Sequence, residues 1–172
     1  ADYGNGGIGF IPPTNIAGQR IANVQYQSDK KAWTLLSSRK DSDPDFPLGG
    51  FISEPQAKWA KLQLSENPVT QQRYQLQALY KTPTTAQVNV QSSTSKVLSL
   101  SQTQGKWQFS NPTAMTFPVS ITVSKNQPVK LGGWLITNQQ PGVMLSSLGI
   151  NGATINMMDK WGVQWTETLG QL

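Results

Sequence analysis

Histidine and cysteine are both absent from this 172-residue chain. Without thiols there can be no disulfide, no thiolate nucleophile and no cysteine-based zinc site. Without imidazole, the base that usually activates a serine nucleophile is missing as well. Charge is also scarce: Asp, Glu, Lys and Arg together make up 13% of the residues, so Gln, Asn, Ser and Thr must carry the surface. That composition suits a β-rich extracytoplasmic protein better than a charged, helical cytosolic one. No run approaches the roughly 18 apolar residues that a membrane span requires. No signal peptide is visible, and Ala1 reads either as a mature terminus or as a boundary within a longer chain.

What remains is enough for one full core, with 37% hydrophobic residues and a formal net charge of +5. The modest positive excess favours an anionic polymer such as a cell-wall glycan and gives no ground for nucleic-acid binding. Lys30-Lys31 and Arg39-Lys40 are the basic pairs, and each reads as solvated loop charge.

The N-terminal stretch is rich in glycine and proline, Gly4-Asn-Gly-Gly-Ile-Gly-Phe-Ile-Pro-Pro13. It lacks the Lys-Ser/Thr of a phosphate loop, and Pro12-Pro13 would block a helix there. It reads as a tight connecting loop. From Arg20 to Asn138 the pattern turns to short strands of period two. Tyr74, Leu76, Ala78 and Tyr80 alternate with polar residues, as do Phe117, Val119, Ile121 and Val123. Shorter examples are Val88 and Val90, Leu98 and Leu100, and Trp107 and Phe109. Asn67-Pro68, Gln104-Gly105, Asn111-Pro112 and Asn126-Gln-Pro128 supply turn chemistry between them. Such spacing predicts an antiparallel β-sandwich, jelly-roll-like or immunoglobulin-like.

After Asn138 the grammar changes to strand, turn and helix. Val143 to Leu148 reads as a buried strand. Residues 153–169 read as an amphipathic helix with Met158, Trp161, Trp165 and Leu169 on one face. A strand passing through Asn151-Gly152 into a helix start would leave backbone N–H groups unpaired. That geometry suits an anion or an oxyanion. The two ends, 1–19 and 139–172, therefore read as parts of one α/β domain into which the sandwich at 20–138 is inserted.

Two segments carry a resemblance to a known family. The run from Gly4 to Pro13 resembles the segment after the first catalytic helix of bacterial SGNH/GDSL-type peptidoglycan O-acetylesterases. Leu148-Gly-Ile-Asn-Gly-Ala-Thr154 resembles the second conserved block of the same hydrolases. The resemblance implies a mainly β chain: a carbohydrate-binding-module-like, jelly-roll-like antiparallel sandwich with a C-terminal strand–turn–helix belonging to an incomplete SGNH hydrolase domain. It makes Gly152 the oxyanion-hole candidate, the alternative being a glycine that serves only the strand–helix turn. It also implies peptidoglycan or another cell-wall polysaccharide as ligand, no metal or other cofactor, and a periplasmic or otherwise extracytoplasmic bacterial location. The family's Gly-Asp-Ser block occurs nowhere here, its third block, Gly-x-Asn after a further strand, does not follow residue 172, and its Asp-x-x-His block needs a histidine that the chain lacks. By itself it is expected to be inactive, with the missing catalytic part as a further partner.

Six tryptophans remain to be placed. Sugar C–H faces stack on exposed aromatic rings while neighbouring amides and ammonium groups bond the hydroxyls. Trp59 is the leading candidate, because alternation puts Ala60, Leu62 and Leu64 on the core face and leaves Trp59 with Lys61 and Gln63 on the other. Trp33, beside Lys30, Lys31 and Arg39, is the second. For each, the competing reading is burial between sheets or at a domain seam. Alternation leaves the side of Trp134 open, and Trp107, Trp161 and Trp165 read as core. Asp41, Asp43 and Asp45 lack the glycine and glutamate of an EF-hand loop, so a solvated acidic turn is preferred to a calcium site. Three classes of function stay open: a non-catalytic glycan-binding or substrate-positioning module, a structural or protein-interaction insert, and one half of a hydrolase completed by another polypeptide.

Overall fold

The protein is described here by a computed structural model, which covers residues 4–16, 23–42, 45–146, 148, 150 and 153–172. The strands, in chain order, begin with β1 (Gly4–Asn5), β2 (Gly7–Ile11), β3 (Val24–Ser28), β4 (Trp33–Ser37), β5 (Phe51–Pro55), β6 (Ala60–Glu66) and β7 (Tyr74–Lys81). They continue with β8 (Ala86–Gln91), β9 (Ser95–Leu100), β10 (Gln108–Phe109), β11 (Thr113–Met115), β12 (Val119–Val123), β13 (Lys130–Thr137) and β14 (Gly142–Val143). A five-stranded sheet has the order β3-β6-β12-β8-β9. A seven-stranded sheet has the order β10-β7-β13-β5-β4, with β11 also on β7 and β2 also on β13. All pairings within both sheets are antiparallel. The chain is thus mainly β, with its sheets forming a sandwich.

Alternation builds the five-stranded sheet directly. In β6, Ala60, Leu62 and Leu64 are wholly buried while Lys61 is exposed. In β8, Ala86, Val88 and Val90 are buried and Gln87, Asn89 and Gln91 are exposed. These inward residues meet Tyr74, Leu76, Tyr80, Leu131 and Trp134 of the seven-stranded sheet in one continuous core. Trp134 belongs to this core, its indole N–H donating to the Pro13 carbonyl at 3.0 Å. A buried indole needs such a partner.

The seven-stranded sheet departs from simple alternation because its other face is also covered. Phe10, Leu79 and Leu135 lie on that face beneath Phe46, Leu48, Trp107 and Trp161. A strand buried on both sides reads as an unbroken apolar run, and β13 is buried from Leu131 to Ile136. Close packing there requires Gly133. A Cβ at that position would lie 2.7 Å from the Ile11 carbonyl oxygen and closer still to the Phe10 ring.

Three sequence expectations are corrected. Residues 7–11, read as connecting loop, form β2 and pair with the β13 segment Trp134–Thr137. The expected helix over 153–169 is broken into a 3-10 turn, Ile155–Lys160, and a five-residue helix, Trp165–Leu169. The break has a tertiary cause. Phe46 N–H donates to Lys160 O and Gly162 N–H donates to Phe46 O, at 2.9 and 2.7 Å. Trp161 is thereby held extended in a parallel bridge with Phe46, its ring buried on the sheet. Met158 and Trp165 also pack on this layer, but Leu169 is 41% exposed. The expected strand over 143–148 is reduced to β14, which pairs in parallel with β1, Gly4 opposite Gly142. No helix among the described residues is long and apolar enough to cross a membrane.

Candidate functional site

The outer face of the five-stranded sheet is nearly all amide and hydroxyl. Register places Gln27 opposite Gln63, Gln63 opposite Ser120, Ser120 opposite Gln91 and Gln91 opposite Ser95. The adjacent row runs Lys61, Thr122, Asn89, Val97. Strand spacing makes this platform about 19 Å wide. Amide side chains donate and accept at once, and so complement hydroxyls that do the same. Val97, 57% exposed, is its one large apolar member.

Trp59 sits at the start of β6, in the turn leading into the Lys61 row, and is 57% exposed. Its ring therefore offers a free apolar face beside the polar rows. Lys61 is likewise exposed on the outer face. Trp33 is different. It is only 6% exposed, because its inward position on β4 carries the indole into the inter-sheet core. The expectation that its ring joins a surface patch is corrected. Its indole N–H donates to the Lys61 carbonyl at 3.3 Å, which ties it to the strand that carries Lys61.

Gly152 lies outside the described residues. Its neighbours Leu148 and Ile150 are partly buried, Leu148 packing on the Phe46–Trp161 layer. The acidic turn is engaged elsewhere: the Asp41 carboxylate accepts from Ser37 N–H at 2.8 Å, and that of Asp45 pairs with Lys81. Asp43 lies outside the described residues.

Sequence reasoning missed the amide rows. Each strand showed its alternation, but that Gln63, Ser120, Asn89 and Gln91 are neighbours depends on strand order. It also missed a buried polar cluster at the far end of β6. There the Glu66 carboxylate accepts from the Tyr74 hydroxyl at 2.5 Å, the Thr70 hydroxyl at 2.8 Å and Thr70 N–H at 3.0 Å. Burial, and then the bond to Glu66, raise the Tyr74 phenol above its usual range. A cleft of about 170 Å³ lies against the other sheet between Pro47, Trp107, Val163 and Trp165.

Comparison with known proteins points to one family. The family described as "Peptidoglycan O-acetylesterase, N-terminal" matches residues 6–120. No curated protein sequence matches the chain. Among solved structures, a peptidoglycan O-acetylesterase superposes with a TM-score of 0.80 and 28% identity, covering 96% of this chain and 44% of that one. The chain thus spans less than half the length of this relative. An exo-β-1,3-galactanase from Phanerochaete chrysosporium aligns at a TM-score of 0.42 and 15% identity, over 68% of this chain and 30% of that one. The module TmCBM61 in complex with β-1,4-galactotriose aligns at 0.35 and 14%, over 67% and 84%. Likeness at these last two levels carries no argument.

Proposed function

The chain belongs to the family of peptidoglycan O-acetylesterase N-terminal domains, and from that premise we propose that it holds cell-wall glycan without itself performing the chemistry. The observation that carries this reading is Trp59, a large ring 57% exposed at the rim of the amide face. A sugar ring stacks on the indole, and Lys61, Gln63 and Thr122 bond its hydroxyls. The five-stranded sheet orders these groups before binding, which limits the entropy lost when the ligand seats.

In this reading β1 and the segment 139–172 belong to a hydrolase domain of the SGNH type completed by residues beyond this chain, whereas β2, within the expected flanking segment 1–19, is part of the sandwich. The parallel pairing of β1 with β14 supports it by bringing the two segments together. Gly152 would lend that domain a backbone N–H for an oxyanion, while the serine and its base come from the remainder. Peptidoglycan as ligand places the protein outside the bacterial cytoplasm, in the periplasm or at the wall.

Co-sedimentation with purified peptidoglycan, O-acetylated and de-O-acetylated, tests the platform. Trp59→Ala is expected to weaken retention about tenfold or more, as loss of an aromatic anchor does. Equal retention of wild type and variant, or none of either, would make the sandwich a structural insert.

A further inference from the structure

The surroundings of Trp59 are unlike the rest of the amide face. β3 runs antiparallel to β6 with Ser28 opposite Leu62, so the chain leaves β3 at the end where Trp59 enters β6. The next residues form a short 3-10 turn, Lys30–Ala32. That turn is tied to the approach of Trp59, since Gln56 and Ala57 both donate their N–H to the Ala32 carbonyl, at 2.8 and 3.3 Å. On the opposite flank β12 ends with Val123 opposite Ala60, and Lys125 follows two residues later. Lys30, Lys31, Lys58, Lys61 and Lys125 therefore ring one corner of the sheet, all exposed.

These are five of the fourteen cationic residues of the chain. None of the five is in an ion pair among the described residues. Of the nearby acids, Glu54 faces Lys130 at 3.9 Å, and Asp29 accepts from Lys31 backbone N–H at 2.9 Å, staying as the single negative charge beside the five. Against five ammonium groups the corner sets one carboxylate, Asp29, so it keeps a positive excess that an anionic ligand relieves.

We propose that the Trp59 corner selects a glycan bearing carboxylates, with the ring stacking on the sugar and the lysines pairing with the carboxylates attached to it. The inference rests on the glycan-platform reading and adds to it the charge of the ligand. Hydroxyl recognition belongs to the amide rows; charge recognition belongs to the corner.

The test is co-sedimentation of the 172-residue chain with purified peptidoglycan whose carboxyl groups are free, and with the same material after amidation. Binding to the free-acid form is expected to be about tenfold or more tighter, and to fall by a similar factor in the variant K30Q/K31Q/K58Q/K125Q. Raising NaCl from about 20 to about 300 mM should reduce it too, as screening of exposed pairs requires. Lys61 is left intact in that variant, so the amide platform is undisturbed. Retention of amidated and free-acid material to the same degree, with the four-lysine variant like wild type and Trp59→Ala still defective, overturns the charge selection alone. Failure of every form to bind, or indifference to Trp59→Ala, overturns the platform and the charge selection together.

Discussion

Two tryptophans that look alike in sequence, each beside lysines, have opposite surroundings. Trp59 is exposed and Trp33 is not, and the difference is one of register. Trp33 opens β4 on its core side, whereas Trp59 lies one residue ahead of the inward Ala60. Their alanine variants should separate cleanly. Trp59→Ala should leave the melting temperature within a degree or two, since a half-exposed ring contributes little to the core. Trp33→Ala should cost about 3–5 kcal/mol in urea unfolding and weaken glycan retention indirectly, by releasing the Lys61 carbonyl. Tyr74 supplies a pH prediction. Its phenol is raised in the folded state by burial and by Glu66, so the stability it contributes is fully present below about pH 10, the usual tyrosine value. That contribution is lost as pH rises from there toward the folded-state value. Unfolding free energy followed by denaturant titration should fall above pH 10. In Tyr74→Phe the fall should be shallower and should start from a lower plateau, because the Glu66 carboxylate loses its closest donor.

Elements differ in how far the sequence reveals them. β6, β8 and β12 have one face on the core and one in water, so period two was enough to place Leu62, Leu64, Val88, Val90, Val119, Ile121 and Val123 inward, though not the buried Glu66 that ends β6. β2 and β13 were opaque for a shared reason. Each is covered on both sides, and their glycines permit that closeness instead of marking a turn. Gly133→Ala should therefore cost about 1–3 kcal/mol through overpacking against Phe10, measured by the shift in urea midpoint. The terminal helix failed for another reason. Its apolar spacing was helical, but the Phe46 backbone competes for Lys160 and Gly162, and tertiary pairing overrides local preference. The amide rows lay beyond sequence reading because they are a property of strand order. The exposure of Trp59 and Lys61 was legible because they lie on one strand and its lead-in turn.

At the scale of the whole molecule, the sandwich depends on its third layer. Trp161, Trp107 and the 46–50 segment roof the outer face of the seven-stranded sheet. Deleting 153–172 should uncover Phe46, Leu79 and Leu135, giving dye binding by 1-anilinonaphthalene-8-sulfonate and self-association on size exclusion, whereas Trp59→Ala should give neither. Among the described residues, five of the nine exposed large apolar side chains, Val143, Leu145, Ile155, Val163 and Leu169, also fall in the last 30 or so residues. That concentration sits where the proposed hydrolase remainder would join.

The parallel pairing of β1 with β14 joins Gly4 to Gly142 across roughly 140 positions. Closing so long a loop from an open chain costs about 4 kcal/mol in entropy, far more than a ladder of two residues returns. The pair can therefore close only once the sheets between have already drawn its strands together. In folding order it comes last, and in unfolding it is lost with the sandwich. Whatever is assembled on those two segments inherits the sandwich as its timer: it forms after the sandwich and does not outlast it.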